Sequence, residues 1–376
     1  MNKLRELIDK YCPNGVEYKP LGDKDVSIMQ RGTSLTKKDS TEGIYPVISG
    51  GKTPAFYCDL SNRNGETITV AGSGAGAGYV QYWNEPIFVC DAFSIKGVGD
   101  VSTKYLYYCL VNMQEKIYAT KKGGGVPHVH ISSIDKFLIP IPPPPVQEEI
   151  VKILDRFAEY AAELQAELQA RQEQYEYYRN KLLTFNEIGE GIQGVIWMKM
   201  SEVYDMKAGK TIISSMIENV KTLKNPYPCY GGNGLRGYVS EYNQQGDKVL
   251  IGRQGALCGN VCFANNSFYA TEHAVVVSEK GYCLPRYTYH LLTKMKLNQY
   301  KTAGAQPGLS VSRLEKLLIP IPSMGMQLKI VSILDRFDEL ISDLSQGLPA
   351  EIEAVQEQYE YYRDKLLSFT EYKLSA

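Results

Sequence analysis

The sequence predicts a mixed α/β (α+β) protein, in which two globular domains are joined by two long antiparallel coiled-coil spacer helices in a pseudo-twofold internal repeat. Three observations lead there. Residues 172–185, QEQYEYYRNKLLTF, return as 356–369, QEQYEYYRDKLLSF, with twelve of fourteen positions identical. Upstream, Ile139-Pro140-Ile141-Pro142 through Leu154-Asp155-Arg156-Phe157 is echoed by Ile319-Pro320-Ile321-Pro322 through Leu334-Asp335-Arg336-Phe337, so the chain is a tandem duplication with a period of roughly 180 residues. Between these matched segments the halves resemble each other only faintly. Near-identical frames can hold two copies of one partner, whereas unlike globular parts can read two different ligands.

The duplication divides the chain into four segments: a first globular domain at 1–145, a central helix at 146–185, a second globular domain at 186–322 and a distal helix at 323–376. MNKLRELIDKYC at the N-terminus alternates charged and apolar residues like a short helix and lacks the apolar centre of a signal peptide. In the globular domains, β-branched and aromatic runs punctuated by glycine predict strands at 66–71, 79–83, 87–89, 248–251, 260–263 and 274–278. A helix is expected over 103–118 and another over 286–300. The prolines of 140–145 close the first domain, because consecutive prolines continue neither a helix nor a central strand.

The central helix carries Ile150, Leu154, Phe157, Ala161, Leu164, Leu168, Arg171, Tyr175, Tyr178, Leu182 and Phe185 at alternating steps of four and three, a coiled-coil seam of five heptads. The distal seam, from Ile330 to Phe369, breaks its alternation once at Leu344, Leu348 and Ile352. Gly347 and Pro349 sit in that stutter and predict a kink or a restart.

At 376 residues, with 44% hydrophobic and 22% charged residues, the chain has ordinary globular composition. No apolar run is long enough to span a membrane, and the eight cysteines do not repeat between the halves, which argues for free thiols in a cytoplasmic setting. The net charge of −1 hides an asymmetry. Lys and Arg outnumber Asp and Glu by 16 to 14 in residues 1–145 and by 15 to 10 in 186–322, while the helical segments are acidic, 5 to 8 and 5 to 10. Attraction to a polyanion would reside in the globular domains.

Taken together, the residues resemble the specificity subunit of type I restriction-modification enzymes. The resemblance rests on the order globular module, Ile-Pro-Ile-Pro with a following glutamine (Gln147, Gln327), Ile-Val-x-Ile-Leu-Asp-x-Phe and long helix, repeated once across the whole chain. Tandem Ala162-Glu163-Leu164-Gln165 and Ala166-Glu167-Leu168-Gln169 match the tetrapeptide repeats of that family. The resemblance implies two target-recognition domains, each reading one half of a split double-stranded DNA sequence. It implies helices that set the spacing and dock two methyltransferase (modification) subunits, which bring S-adenosylmethionine to methylate adenine. A motor-nuclease (restriction) subunit, with ATP and Mg, would cut elsewhere; its presence is left open. No cofactor is expected on this chain. Gly347-Leu348-Pro349 departs from a continuous ruler helix.

Catalytic motifs fail on inspection. Asn225-Pro226-Tyr227-Pro228 has the letters of an adenine methyltransferase loop in the wrong order. The Gly-Lys-Thr triplets at 51–53 and 209–211 lack the glycine five residues earlier, Pro46 and Tyr204 standing there. Glu17-Tyr18-Lys19 has no counterpart at Ile196–Lys199, and neither Cys258-x3-Cys262 nor His128-x-His130 has a second pair at metal-ligand spacing. Ala71–Gly78, AGSGAGAG, is either a tight loop or a place where backbone amides meet phosphates.

Base and phosphate readout calls for basic, amide or hydroxyl side chains on loops. Selecting those beside glycine in corresponding loops gives Arg31, Lys37, Lys38, Lys52, Ser73, Lys121, Lys122 and His128 in the first half. It gives Lys207, Lys210, Arg236, Arg253, Gln254, Thr302 and Gln306 in the second. On the helices, Tyr177, Arg179, Tyr361 and Arg363 fall off the seam yet repeat, which marks faces for the two partner subunits. Two other readings compete: a non-catalytic scaffold presenting two protein-binding modules, and a self-sufficient methyltransferase or nuclease, which the missing motifs disfavour.

Overall fold

The Ile-Pro-Ile-Pro segments, expected as exits from the globular domains, are strands. Leu138–Ile141 pairs antiparallel with Glu17–Pro20, and Leu318–Ile321 pairs antiparallel with Ile196–Lys199 in the same register. A two-stranded ladder has only edge strands, so a residue without an N–H fits in it. The carbonyl oxygens of Pro140 and Pro320 accept hydrogen bonds from the Tyr105 and Tyr287 hydroxyls, each at 3.0 Å. Glu17 and Lys19, of the triplet without a counterpart in the second half, pair with each other at 3.4 Å on this ladder.

The computed structural model describes residues 2–123, 125–185, 194–255, 257–302, 308–342 and 347–372. The chain divides into two units: Met1–Gln165 with Glu351–Ala376, and Ala166–Ala350. The first unit holds a four-stranded antiparallel sheet in the order Ser27–Arg31, Ala92–Gly97, Thr67–Ala71, Val80–Trp83. Beside it, Tyr45–Ile48 runs antiparallel to Phe56–Cys58 and parallel to Phe88–Val89. The second unit repeats the plan with Tyr204–Ala208, Ala274–Glu279, Lys248–Gly252 and Val261–Ala264. Its companion sheet orders Gly234–Val239, Tyr227–Gly231, Ser267–Ala270 and Gln244–Gln245. The six strands read from the sequence are all present with ends shifted by a residue at most.

Each expected helix is shorter than its apolar pattern. Thr103–Asn112, capped by Ser102 accepting from the Tyr105 amide, breaks at Met113 before a second helix, Gln114–Ala119. Pro285–Lys294 begins with proline, where a missing N–H costs nothing. It ends near Lys296, whose left-handed φ of 46° redirects the chain into a 3₁₀ turn, Leu297–Tyr300. The central helix runs Pro144–Leu182, 39 residues, about 58 Å at 1.5 Å per residue. Pro144 and Pro145 therefore open this helix rather than precede it. The expected restart in the distal segment is found: one helix is Met324–Ser342 and the next is Leu348–Leu367, with Pro349 in its first turn.

Within the first unit the central helix and Leu348–Leu367 pack antiparallel. Phe157 stacks on Tyr362 at 5.4 Å, and further along Tyr160 donates to Glu351 at 2.7 Å. Ile150, Leu154, Leu366 and Leu367 join the core of the first sheet and its helix. In the second unit Tyr175 of the central helix and Leu183 just beyond its end, with Ile330 and Leu334, join the second core. Each such buried aliphatic side chain contributes roughly 1.5–3 kcal/mol. The C-terminal segment closes the first unit: Val16 accepts from the Tyr372 amide at 2.9 Å and donates to the Thr370 carbonyl at 3.0 Å. Gly15 is required there, because its φ is +97° and a Cβ would meet the Thr370 oxygen at 2.3 Å. All eight cysteines are free. Among the described residues no helix is long and apolar enough to cross a membrane.

Candidate nucleic-acid interface

The matched motifs form a clamp that fixes each globular sheet to its helix. Gln147 is buried; its side-chain oxygen accepts from the Ser102 amide at 2.9 Å, and its nitrogen donates to the carbonyls of Asp100 and Pro142 at 3.1 and 2.8 Å. Gln327 does the same with the Leu284 amide and the carbonyls of Tyr282 and Pro322, all at 2.9 Å. About two turns further along the helix, Asp155 accepts from the Tyr108 hydroxyl and pairs with Lys104 at 3.2 Å. Its twin, Asp335, accepts from Arg286 at 2.7 Å and from His290 Nε2 at 2.7 Å. Burial works against the Asp335 carboxylate, but Arg286 and His290 outweigh it and hold its pKa below the usual carboxylate range.

On this frame, equivalent backbone bonds build one loop cluster in each unit. In the first, the Gly72 amide donates to Asp91 at 3.0 Å and its carbonyl accepts from Val129 at 3.0 Å. In the second, the Arg253 amide donates to His273 at 2.9 Å and its carbonyl accepts from Leu309 at 2.8 Å. Gly72 and Arg253, Asp91 and His273, and Val129 and Leu309 are thus equivalent positions. The bridges Ser73 to His128 and Gln254 to Gly308 continue the match, as do the backbone hydrogen bonds from the Lys122 amide to His128 and from the Thr302 amide to Gly308. Gly50 and Gly232 allow the close approach: a Cβ there would meet the backbone oxygen of Ser73 at 2.1 Å or of Gln254 at 2.8 Å.

Around these loops each unit has a cavity with polar side chains in its lining. The first, about 200 Å³, is lined by Arg31, Gly72, Asp91, His128 and His130 among others. The second, about 610 Å³, is lined by Asn233, Arg236, Gln254, His273 and Gly308 among others. Ser73 donates to Asp91, which lines the first, and the rings of His128 and His130 stack at 6.0 Å. At the second, Gln254 Oε1 lies 2.6 Å from His273 Nδ1, and His273 Nε2 lies 3.1 Å from Glu272.

The structure thus gathers Arg31, Ser73, Lys122 and His128 in one cluster, and Arg236, Arg253, Gln254 and Thr302 in the other. Lys52 stands over the Tyr79 ring at 5.2 Å and Lys121 over Tyr118 at 4.0 Å. Lys210, exposed, joins the second cluster by the bond from its amide to Ala270, beside Thr271. Lys37 and Lys38 form an exposed 3₁₀ turn that lines neither cavity, and Lys207 is held by Asp205 at 2.8 Å on an outer strand. Gln306 lies outside the described residues. Thr302 has a structural task, since its hydroxyl accepts from the Gly308 amide at 3.1 Å. The second half of the glycine loop turns inward: Gly76, Ala77 and Gly78 are buried, and the close approach is to Gly50. Asp91 and His273 escaped the sequence filter, which sought basic and amide residues beside glycine. The available signal was position, as each directly precedes the alanine that opens a central strand, Ala92 or Ala274.

Comparison with known proteins agrees with this duplicated plan. The type I restriction modification DNA specificity domain matches twice, at residues 13–174 and 195–354. The chain belongs to the type I restriction-modification specificity-subunit family. It is 41% identical to the EcoprrI specificity subunit of Escherichia coli over 69% of this chain and 67% of that one. It is 32% identical to the EcoR124I/EcoR124II specificity subunit of Escherichia coli over 98% of this chain and 97% of that one. The fold is that of the type I restriction-modification S subunit from M. genitalium, with a TM-score of 0.69 at 20% identity over 94% and 96% of the two chains.

In this specificity subunit the helix-borne candidates divide. Tyr177 and Tyr361 are 59% and 60% exposed and stand in twin settings. Each meets its neighbour edge-on, Tyr178 at 5.4 Å and Tyr362 at 5.3 Å, with Lys181 or Lys365 over its ring at 5.6 Å. Arg179 instead turns inward, 7% exposed, with its guanidinium 4.9 Å from the Tyr175 ring centre. Arg363 packs on Tyr359 and donates to Asn112 at 3.1 Å. Both arginines lie off the coiled-coil seam yet pack toward the short helix of their unit, Arg363 by its bond to Asn112 and Arg179 on the Tyr175 ring that bonds His290.

Proposed function

We propose that each loop cluster reads one half of a bipartite double-stranded DNA target, and that the twin tyrosine faces dock two adenine methyltransferase subunits. The observation that carries this reading is the contrast between frame and loops. The glutamine and tyrosine bonds of the clamp repeat one for one, while the loop positions it presents carry Ser73, Asp91 and His128 in one unit and Gln254, His273 and Gly308 in the other. Two identical readers would repeat those side chains as well. The arginines, lysines and amides in the clusters supply phosphate contacts and base-edge hydrogen bonds.

The subunit itself performs no chemistry in this reading; S-adenosylmethionine, ATP and Mg belong to the modification subunits and to any accompanying restriction subunits, in the cytoplasm. Tyr177 and Tyr361 suit the docking role because an exposed, rigid aromatic ring is the side chain most enriched at interface hot spots.

The test is to map methylated adenines in cells carrying the partner methyltransferase with and without this gene. The expected result is a split motif that depends on the gene. If no motif appears although the partner is active with another specificity subunit, the scaffold reading takes its place.

A further inference from the structure

The equivalence of the two loop clusters singles out one pair of positions in each unit. Residues 73 and 91 correspond to 254 and 273 through matching backbone bonds, and in both units the two side chains bond to each other. In the first unit the pair is a serine donating to an aspartate, and in the second a glutamine on a histidine. All four side chains are at least partly exposed, and Asp91, Gln254 and His273 line the cavities. Packing does not require such pairs, since neither is in a core. The Tyr108–Asp155 and His290–Asp335 bonds also differ between the halves, but they join a domain helix to a long helix, whereas these pairs stand on exposed loops.

We propose that these paired positions are the principal base-reading element of each unit, an inference that rests on the DNA-reading function above. The rigid backbone bonds on either side fix where the pair stands, and the mutual side-chain bond fixes which lone pairs and protons face outward. Asp91, receiving one bond from Ser73, has carboxylate lone pairs left to accept from an amino-bearing base edge, cytosine N4 or adenine N6. Gln254, with its amide oxygen held by His273, offers its NH2 to an acceptor on a base edge, such as purine N7. The two halves of the target therefore differ at this position because the pairs differ in chemistry. Arg31 and Arg236 line the same cavities and add a cation beside each pair, suited to phosphate or guanine.

The experiment exchanges the pairs in the full chain, expressed with its methyltransferase partner, and reads the methylated motif genome-wide. The variants are Ser73→Gln with Asp91→His, and Gln254→Ser with His273→Asp. Each exchange should change base preference at one or two adjacent positions of a single half-site by about tenfold to a hundredfold, leaving the other half-site and the spacer as they were. An unchanged motif at unchanged efficiency overturns the inference, as does a change in both halves. If an exchange abolishes methylation, the conservative single variants Asp91→Asn and Gln254→Asn decide: relaxed preference at one position of one half-site supports it, and an unaltered motif overturns it. Failure of the unmodified chain to direct any split motif would instead sink the DNA-reading function itself.

Discussion

Phe157 stacks on Tyr362 with ring centres 5.4 Å apart and planes 26° from parallel, although 205 residues separate them in sequence. The same contact is made between Phe337 and Tyr178 at 5.5 Å and 23°. Each unit is thus held by one residue of an Ile-Leu-Asp-Arg-Phe motif and one tyrosine of the duplicated QEQYEYYR segment from the other half of the chain. The repeat is closed by exchange: the C-terminal helix serves the first unit and the end of the central helix serves the second.

That exchange predicts separable losses. Tyr362→Ala should destabilise the first unit by about 1–3 kcal/mol, and Tyr178→Ala the second by a similar amount, since both remove a partly buried ring and its stacking partner. Amide hydrogen exchange should show the loss confined to the unit that contains the altered stack. Loosening of both units by either variant would contradict the pairing.

The clamp glutamines act through three bonds each. Gln147→Ala leaves the Ser102 amide and two carbonyls without their partner, as Gln327→Ala does for Leu284, Tyr282 and Pro322. Each should cost about 2–3 kcal/mol in urea unfolding, more than deletion of an exposed glutamine such as Gln172. Equal effects would mean that these bonds do not hold sheet to helix.

A pH dependence arises from His290. It is fully buried, accepts from the Tyr175 hydroxyl at Nδ1 and donates from Nε2 to Asp335, the arrangement of a neutral imidazole. Burial lowers its pKa, outweighing the nearby Asp335. The unfolded chain, with an ordinary histidine pKa of about 6.5, then binds more protons below that value, so stability is present above it and falls as the pH is lowered. Thermal unfolding of the second unit should weaken below about pH 6.5, by at most about 1.4 kcal/mol per pH unit. His290→Gln should remove that slope; a slope unchanged in the variant would assign it to another group. The first unit has Tyr108 at the corresponding place and should lack this dependence.

Much of this plan was legible in the sequence because duplication exposes it. The helix seam, the restart near Pro349 and six strands came from periodicity and turn residues. Ala92–Gly97, a central strand, did not: alanine, serine, lysine and glycine have weak strand preference, and its two neighbours impose the conformation. Ile-Pro-Ile-Pro misled for a related reason, since its partner strand lies over a hundred residues away and nothing local announces it. Arg179 shows the limit of a seam as a guide: heptads reveal one face, and this residue is buried off it, against the Tyr175 ring. Asp91 and His273 needed backbone register to be seen as a matched pair.

Tyr177 and Tyr361 are expected to matter for assembly and not for folding. Tyr177→Ala and Tyr361→Ala each remove an exposed ring, so unfolding should change by less than about 0.5 kcal/mol. Native mass spectrometry of the subunit with its methyltransferase should show one partner lost or weakened at least tenfold in each single variant and both in the double variant. Two partners bound with unchanged affinity by the double variant would remove these tyrosines from the interface.

The central helix invites a change of length. Deleting Ala166–Gln169 removes one of two tandem tetrapeptides, shortens the helix by about 6 Å and rotates its C-terminal part by about 40°. Leu164 and Leu168 occupy the same place in successive copies, so the deletion preserves an apolar residue there and the helix should still fold. Neither loop cluster contains any deleted residue. Methylation mapping should therefore return the same two half-sites with a shorter unspecified spacer. If a half-site changes instead, the helix does more than set spacing, because the reading loops would then depend on its length.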